Sequence, residues 1–215
     1  MQRPKSTIGL LGGTFDPIHC GHLRMALELY AELKLSKVHI IPCYQPVHRP
    51  EPIASAEKRL DMIKCAIQNE PSLYLDTREI DRKGPSYFID TLMELRHDFP
   101  DTSLCLLLGL DSFLGFTYWH RYTEILNYCH IIIAHRPQFQ LPDYGLIAEL
   151  LYKQLQNDIS FIHDHLAGGI LLSPITPLDI SASQIRKQFA NGCNPRYLLP
   201  DVVYNYIKQN NLYLD

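Results

Sequence analysis

The sequence predicts an α/β fold: a Rossmann-like, doubly wound parallel sheet with flanking helices and a C-terminal helical part. Three observations lead there. Short apolar runs alternate with amphipathic segments along most of the chain. One run, Leu104 to Leu108, is apolar at every position, as a strand covered on both faces must be. The first run ends in Gly12-Gly13 and hands over to an amphipathic helix, the usual start of an open α/β sheet.

Taken in order, Ser6 to Leu11 reads as a buried strand. Gly21 to Leu35 follows as a helix with Leu23, Ala26, Leu27, Tyr30 and Leu33 on one stripe. Lys37 to Ile41 is the second strand, closed by Pro42, and a proline-rich loop runs from Cys43 to Ile53. Ser55 caps the next helix, where Leu60, Ile63, Ala66 and Ile67 recur at helical spacing. Leu73 to Ile80 alternates as a strand should, and Tyr87 to Phe99 is amphipathic. A helical stretch ends over Ile125 to Tyr128, and His130 to Ala134 is again strand-like. Tyr144 to Gln156 reads as a helix, Ser160 to His163 as a short strand and Ile170 to Leu172 as the last strand. Two helices, Ser181 to Phe189 and Asp201 to Gln209, complete the pattern. No repeat or linker divides the chain, so residues 1–215 are expected to form a single domain with strand order 3-2-1-4-5 at its centre.

A chain of 215 residues that is 46% hydrophobic can bury its own core without disulfide or metal staples. Its net charge of −3 carries no nucleic-acid footprint, and no nucleic-acid partner is expected. None of the six cysteines forms a CxxC pair, and Cys65, Cys105 and Cys129 fall in apolar or helical runs. Free buried thiols in a reducing cytoplasm are the expectation. The apolar stretch from Ile8 to Leu11 is too short for a secretory signal, and no run approaches the ~18 residues of a membrane span.

The informative segment is Gly12-Gly13-Thr14-Phe15-Asp16-Pro17-Ile18-His19-Cys20-Gly21-His22. Glycines let a backbone approach phosphate, and the following helix points N–H groups and a partial positive charge at an anion. His19 and His22 lie around the helix start, so both rings can face one ligand and donate to charge developing on phosphate oxygens. The spacing fits neither a Walker A loop nor GxGxxG. A bare glycine turn with incidental histidines is the competing reading. Near the other end, Ser181-x-x-Gln184 is a capping box, and Ser181, Ser183 and Arg186 at a helix start can hold a second anion. The plain alternative is a well-capped surface helix. Gly109 and Asp111 follow the central strand, where a glycine admits a nucleotide and an aspartate can bind a ribose hydroxyl or merely cap a helix.

These residues resemble a known family. The eleven-residue turn is similar to the GGTFDPIHxGH signature of the HxGH nucleotidyltransferase superfamily, and Ile180 to Arg186 resembles its ISSTxIR motif, with Ala182 and Ser183 as departures. The resemblance implies that His22 stabilises the transition state at the α-phosphorus of ATP and that His19 helps bind the phosphates. It implies that Gly12, Gly13, Thr14, Phe15, Gly109, Asp111, Ser181, Ser183 and Arg186 belong to the ATP site. Arg136, in His135-Arg136-Pro137, would lie near the adenine. Within the superfamily the chain looks like the nicotinate mononucleotide adenylyltransferases, because Gly84 to Leu92 resembles their PSYT-x-x-TL segment and Trp119 stands where they carry a ring-stacking tryptophan. That resemblance assigns His48 and Arg49 to the acceptor's phosphate, Trp119 to its ring and Phe88 to the neighbourhood of its carboxylate, where backbone N–H groups near Phe88 and His120 can donate. Phe88 replaces a threonine and Cys43 an asparagine, which puts strict preference for the acid in question.

The implied reaction joins ATP and nicotinate mononucleotide, with Mg²⁺ carried on the ATP phosphates and no protein metal site. The alternatives are a superfamily transferase with another phosphorylated acceptor and a non-catalytic nucleotide-binding regulator. An RNA-binding protein of the same ancestry is disfavoured by the absence of a KMSKS-like segment.

Overall fold

The structure, a computed structural model, describes residues 4–48, 50–135 and 141–214. Its centre is a six-stranded sheet in the order β3-β2-β1-β4-β5-β6, and every pairing is parallel. The strands are β1 (Ser6–Gly13), β2 (Lys37–Pro42), β3 (Leu73–Leu75), β4 (Thr102–Gly109), β5 (His130–His135) and β6 (Ile170–Pro174). The helices are α1 (Cys20–Glu32), α2 (Ala56–Ile67), α3 (Arg78–Arg82), α4 (Phe88–Asp98), α5 (Leu110–Leu114), α6 (Tyr122–Ile125), α7 (Leu146–Gln154), α8 (Ser160–Asp164), α9 (Ala182–Ala190) and α10 (Asp201–Gln209).

Period-two alternation sorts each strand between two cores. In β4, Leu104, Leu106 and Leu108 face one core, together with Ile89 and Leu92 of α4, Phe113 of α5 and Leu151 of α7. Cys105 and Leu107 face the other, with Leu29 of α1, Met62 of α2, Ile185 of α9 and Val203 of α10. Helices therefore cover both faces, and the all-apolar run in β4 reflects a strand with no wet side. Crossovers leave β1 towards β2 on one flank and β4 towards β5 on the other, so the reversal of strand order falls between β1 and β4. In open sheets of this kind, ligands bind at the carboxyl ends beside such a reversal.

Two sequence expectations are corrected. The strand expected over Leu73 to Ile80 stops at Leu75, and α3 begins at Arg78. Asp76 Oδ1 accepts from the Arg78 backbone N–H at 3.2 Å and its side-chain Nε at 2.9 Å, a local turn that competes with extension. The strand expected over Ser160 to His163 is helix α8. The Asp158 carboxylate accepts from the Ser160 N–H at 2.8 Å and starts a helical turn. The other predicted elements exist with shifted ends: the helix after Tyr144, for example, starts only at Leu146. All six cysteines are free; Cys105 and Cys129 are buried, whereas Cys65 is half-buried rather than in the core.

Candidate active site

The turn after β1 is pinned from several sides. Gly12 and Gly13 have no room for side chains: a Cβ at Gly12 would lie 3.0 Å from the Phe88 ring, and one at Gly13 would lie 3.0 Å from the Phe15 ring. Phe15 is buried with φ +51, a conformation that side chains rarely adopt unless their surroundings enforce it. The enforcement comes partly from Arg59 of α2, 1% exposed, which donates to the carbonyl oxygens of Thr14 (2.8 Å), Cys43 (2.8 Å) and Tyr44 (3.3 Å). One buried guanidinium thus ties the turn after β1 to the loop after β2.

His19 occupies the N-cap position of α1 with extended backbone, so its ring and that of His22, one turn on, come together. Their centroids are 3.6 Å apart and the planes differ by 22°, a stacked pair. The His22 ring also meets Phe15 edge-on at 5.0 Å. His19 is 5% exposed, and burial lowers its pKa to about 4, so at neutral pH it is an uncharged imidazole. Its Nδ1 is buried without a hydrogen-bond partner among the described residues. A neutral His19 removes the repulsion that two stacked imidazolium rings would suffer.

Arg186 reaches this turn from α9, donating to the Asp16 carbonyl oxygen at 2.6 Å across a separation of 170 positions. The Ser181 hydroxyl caps α9 by accepting from the Gln184 N–H at 3.2 Å, as its sequence pattern predicts, and lies 3.2 Å from the Ser183 hydroxyl. Beside the reversal of strand order, Gly109 ends β4, and a Cβ there would meet nothing within 4 Å, so the backbone faces open space. Asp111 is exposed in the first turn of α5.

A second group of expected residues gathers around α4. The loop after β2 meets the start of that helix: the Tyr44 N–H donates to the Ser86 hydroxyl at 2.9 Å, and the Ser86 N–H to the Gln45 carbonyl at 2.9 Å. Phe88 packs between Gly12 and Trp119, its ring 6.0 Å from the indole. Trp119 also leans on Phe116 at 5.6 Å, and Tyr87 covers His120 at 4.4 Å. Trp119 is half-buried and His120 exposed, while His48 stands exposed in the loop after β2. Arg49 and Arg136 lie outside the described residues. Sequence reasoning assigned no role to Asp16, Arg59 or Tyr213. Arg59 carried a signal, a charge on the same helical stripe as Met62 and Ile63; Tyr213 carried none, since its partner is 197 positions away.

The cytidylyltransferase-like family matches the chain over residues 10–188. A relative from Aeromonas hydrophila, named a probable nicotinate-nucleotide adenylyltransferase, is 46% identical over 210 residues, covering 97% of this chain and 98% of its own. A protein of the same name from Hydrogenovibrio crunogenus is 42% identical over 206 residues, covering 96% and 97%. Two structures of Plasmodium falciparum nicotinic acid mononucleotide adenylyltransferase share the fold. The one complexed with APC has TM-score 0.70 at 20% identity, and the one complexed with NaAD has 0.73 at 18%, each covering 97% of both chains. The turn with its two histidines, the helix start that answers it and these full-length likenesses lead to one conclusion: the chain belongs to the cytidylyltransferase-like family, among its nicotinate-nucleotide adenylyltransferases.

Proposed function

We propose that this protein transfers the adenylyl group of ATP to nicotinate mononucleotide, giving nicotinate adenine dinucleotide and pyrophosphate. The observation that carries the reading is the stacked His19–His22 pair at the start of α1, with Arg186 delivered to the same turn. An acceptor phosphate oxygen attacks the α-phosphorus in line, one P–O bond forms, and the bond to pyrophosphate breaks. The nucleophile is already an anion, so no general base is needed; positioning and electrostatic stabilisation supply the rate. His22 is assigned to the transition-state charge and the neutral His19 to a hydrogen bond on the phosphates. Arg186, Ser181 and Ser183 hold the β- and γ-phosphates, and the open backbone at Gly109 with Asp111 takes the nucleoside.

Mg²⁺ arrives as part of the substrate, held by phosphate oxygens and water. Among the described residues no three His, Cys, Asp or Glu side chains group around a possible metal position, and the Asp16 carboxylate is already occupied by protein donors. No helix of the described residues is long and apolar enough to cross a membrane, and the six free thiols suit a reducing cytoplasm, where we place the reaction as one domain acting on small molecules.

The acceptor ring stacks on Trp119, and the nicotinate carboxylate is read by backbone N–H groups near Phe88 and His120. Pyrophosphate release from ATP is measured with nicotinate mononucleotide, its amide and other phosphorylated acceptors. The acid should exceed the amide in kcat/KM by at least about tenfold, or about 1.4 kcal/mol. Trp119→Ala should weaken both acceptors by similar factors. Equal use of acid and amide would show that Phe88 marks a loss of selectivity, and turnover only with a different acceptor would replace this reading with that of a sister transferase.

A further inference from the structure

Asp16 is the hub on which the phosphate side of the site is assembled. It is 3% exposed, and neutral donors occupy its carboxylate. Oδ1 accepts from the Tyr213 hydroxyl at 2.6 Å and the Ala54 N–H at 3.1 Å; Oδ2 accepts from the Ile53 N–H at 2.8 Å. Arg186 sits beside this buried charge yet does not close on it. Its Nη1 donates to the Asp16 carbonyl oxygen at 2.6 Å and stays 3.8 Å from Oδ2. Charge-assisted hydrogen bonds to a carboxylate are short and strong, so a guanidinium held off at that distance needs a reason. The carboxylate has its donors already.

Tyr213 is the side-chain donor among them. It follows α10, is 6% exposed, packs 6.3 Å from the Phe189 ring of α9 and adopts φ +60. Burial and the neighbouring Asp16 push its phenol well above the usual range, so it remains an O–H donor. Between it and α9 runs a groove of about 290 Å³ lined by Ile53, Ser183, Arg186, Lys187 and Tyr213, which leaves the guanidinium space to move.

We propose that Tyr213 is a positioning residue for ATP: by satisfying Asp16 it keeps Arg186 from collapsing onto the carboxylate and leaves the remaining N–H groups of that guanidinium for the triphosphate. The inference rests on the reading of Arg186 as a triphosphate ligand given above. Without the hydroxyl, Oδ1 loses its shortest donor and the buried charge draws in the nearest movable cation.

The test compares wild type, Tyr213→Phe, Asp16→Asn and the double variant, by calorimetric titration with MgATP in the absence of acceptor and by steady-state kinetics. Tyr213→Phe should raise Kd and KM for ATP on the order of tenfold, the scale of one charged-group hydrogen bond. Its kcat and acceptor KM should stay within about twofold. In the double variant, where position 16 is uncharged, ATP affinity should return to that of Asp16→Asn alone. A merely structural role predicts instead a lower Tm with unchanged ATP Kd in the folded fraction, or additive losses in the double variant; either result overturns the proposal and leaves the functional reading standing. Wild type that fails to bind ATP at all overturns both.

Discussion

At the amino ends of the strands, His130 has both ring nitrogens engaged: the Gly169 N–H donates to Nδ1 at 3.0 Å, and Nε2 donates to the His165 carbonyl oxygen at 3.0 Å. His163, close by on α8, bonds the Thr7 hydroxyl through Nδ1 at 2.9 Å and the Leu33 carbonyl through Nε2 at 3.1 Å. At the carboxyl ends, His19 is also buried and its pKa is likewise lowered to about 4, yet its Nδ1 has no partner among the described residues and its ring stacks on another imidazole. Burial and a depressed pKa are therefore common to the two ends and do not by themselves mark a site. The distinguishing observation is whether the protein has used up the ring's hydrogen bonds.

The stacked pair is tested first at His22. His22→Ala should lower kcat by roughly 10²–10³, the usual effect of deleting one transition-state donor, while urea unfolding stays close to wild type. A folded variant with near-normal turnover would remove His22 from the chemistry. His130→Ala should do the reverse. It opens a cavity and orphans the Gly169 N–H and the His165 carbonyl, a loss of about 3 kcal/mol in unfolding free energy, with turnover per folded molecule unchanged. A drop in kcat without a drop in stability would overturn the assignment of this end to architecture.

The pH dependence sharpens the same point. The folded pKa of His130, about 4, lies below the unfolded value of about 6.5, so the unfolded chain takes up the proton first. This residue's contribution is complete above about pH 6.5 and is lost as the pH falls towards 4. His19 adds a slope of the same sign, so the measurement is the difference between wild type and His130→Gln in urea titrations from pH 7 to pH 4. Parallel profiles would show that His130 does not titrate as its surroundings require. The smallest expected effect is Thr7→Val, which removes the hydroxyl paired with His163 at a cost of about 1 kcal/mol and leaves ATP binding untouched.

Much of this was legible before folding. Leu104 to Leu108 announced a central strand because both its faces are covered, and Ser181 announced α9 because a capping hydroxyl acts within one turn of chain. The tight turn after β1 and the helix that follows it were legible for the same reason, since glycines and an N-cap act through local backbone geometry. Leu73 to Ile80 misled because the alternation of its side chains hides the turn closed by Asp76, and Ser160 to His163 because Asp158 lies just outside the run. The support of the site was the least legible part. Arg59 bonds carbonyl oxygens 15 to 45 positions away, and Asp16 finds Tyr213 at 197. Partnerships at those distances depend on the whole chain path and leave no mark on local periodicity.

That separation bears on how the protein comes into being. During synthesis the turn after β1 leaves the ribosome long before α9 and the segment after α10, and until they arrive Asp16 lacks its Tyr213 donor and the nascent cleft has no Arg186. ATP affinity should therefore appear only once α9 and the segment after α10 are in place, and nucleotide at a hundredfold its Kd should stabilise the entire fold by about 2.7 kcal/mol rather than tightening one loop. Cells that hold ATP well above that level would in effect select the finished molecule from its half-made precursors, with the substrate acting as the last clasp.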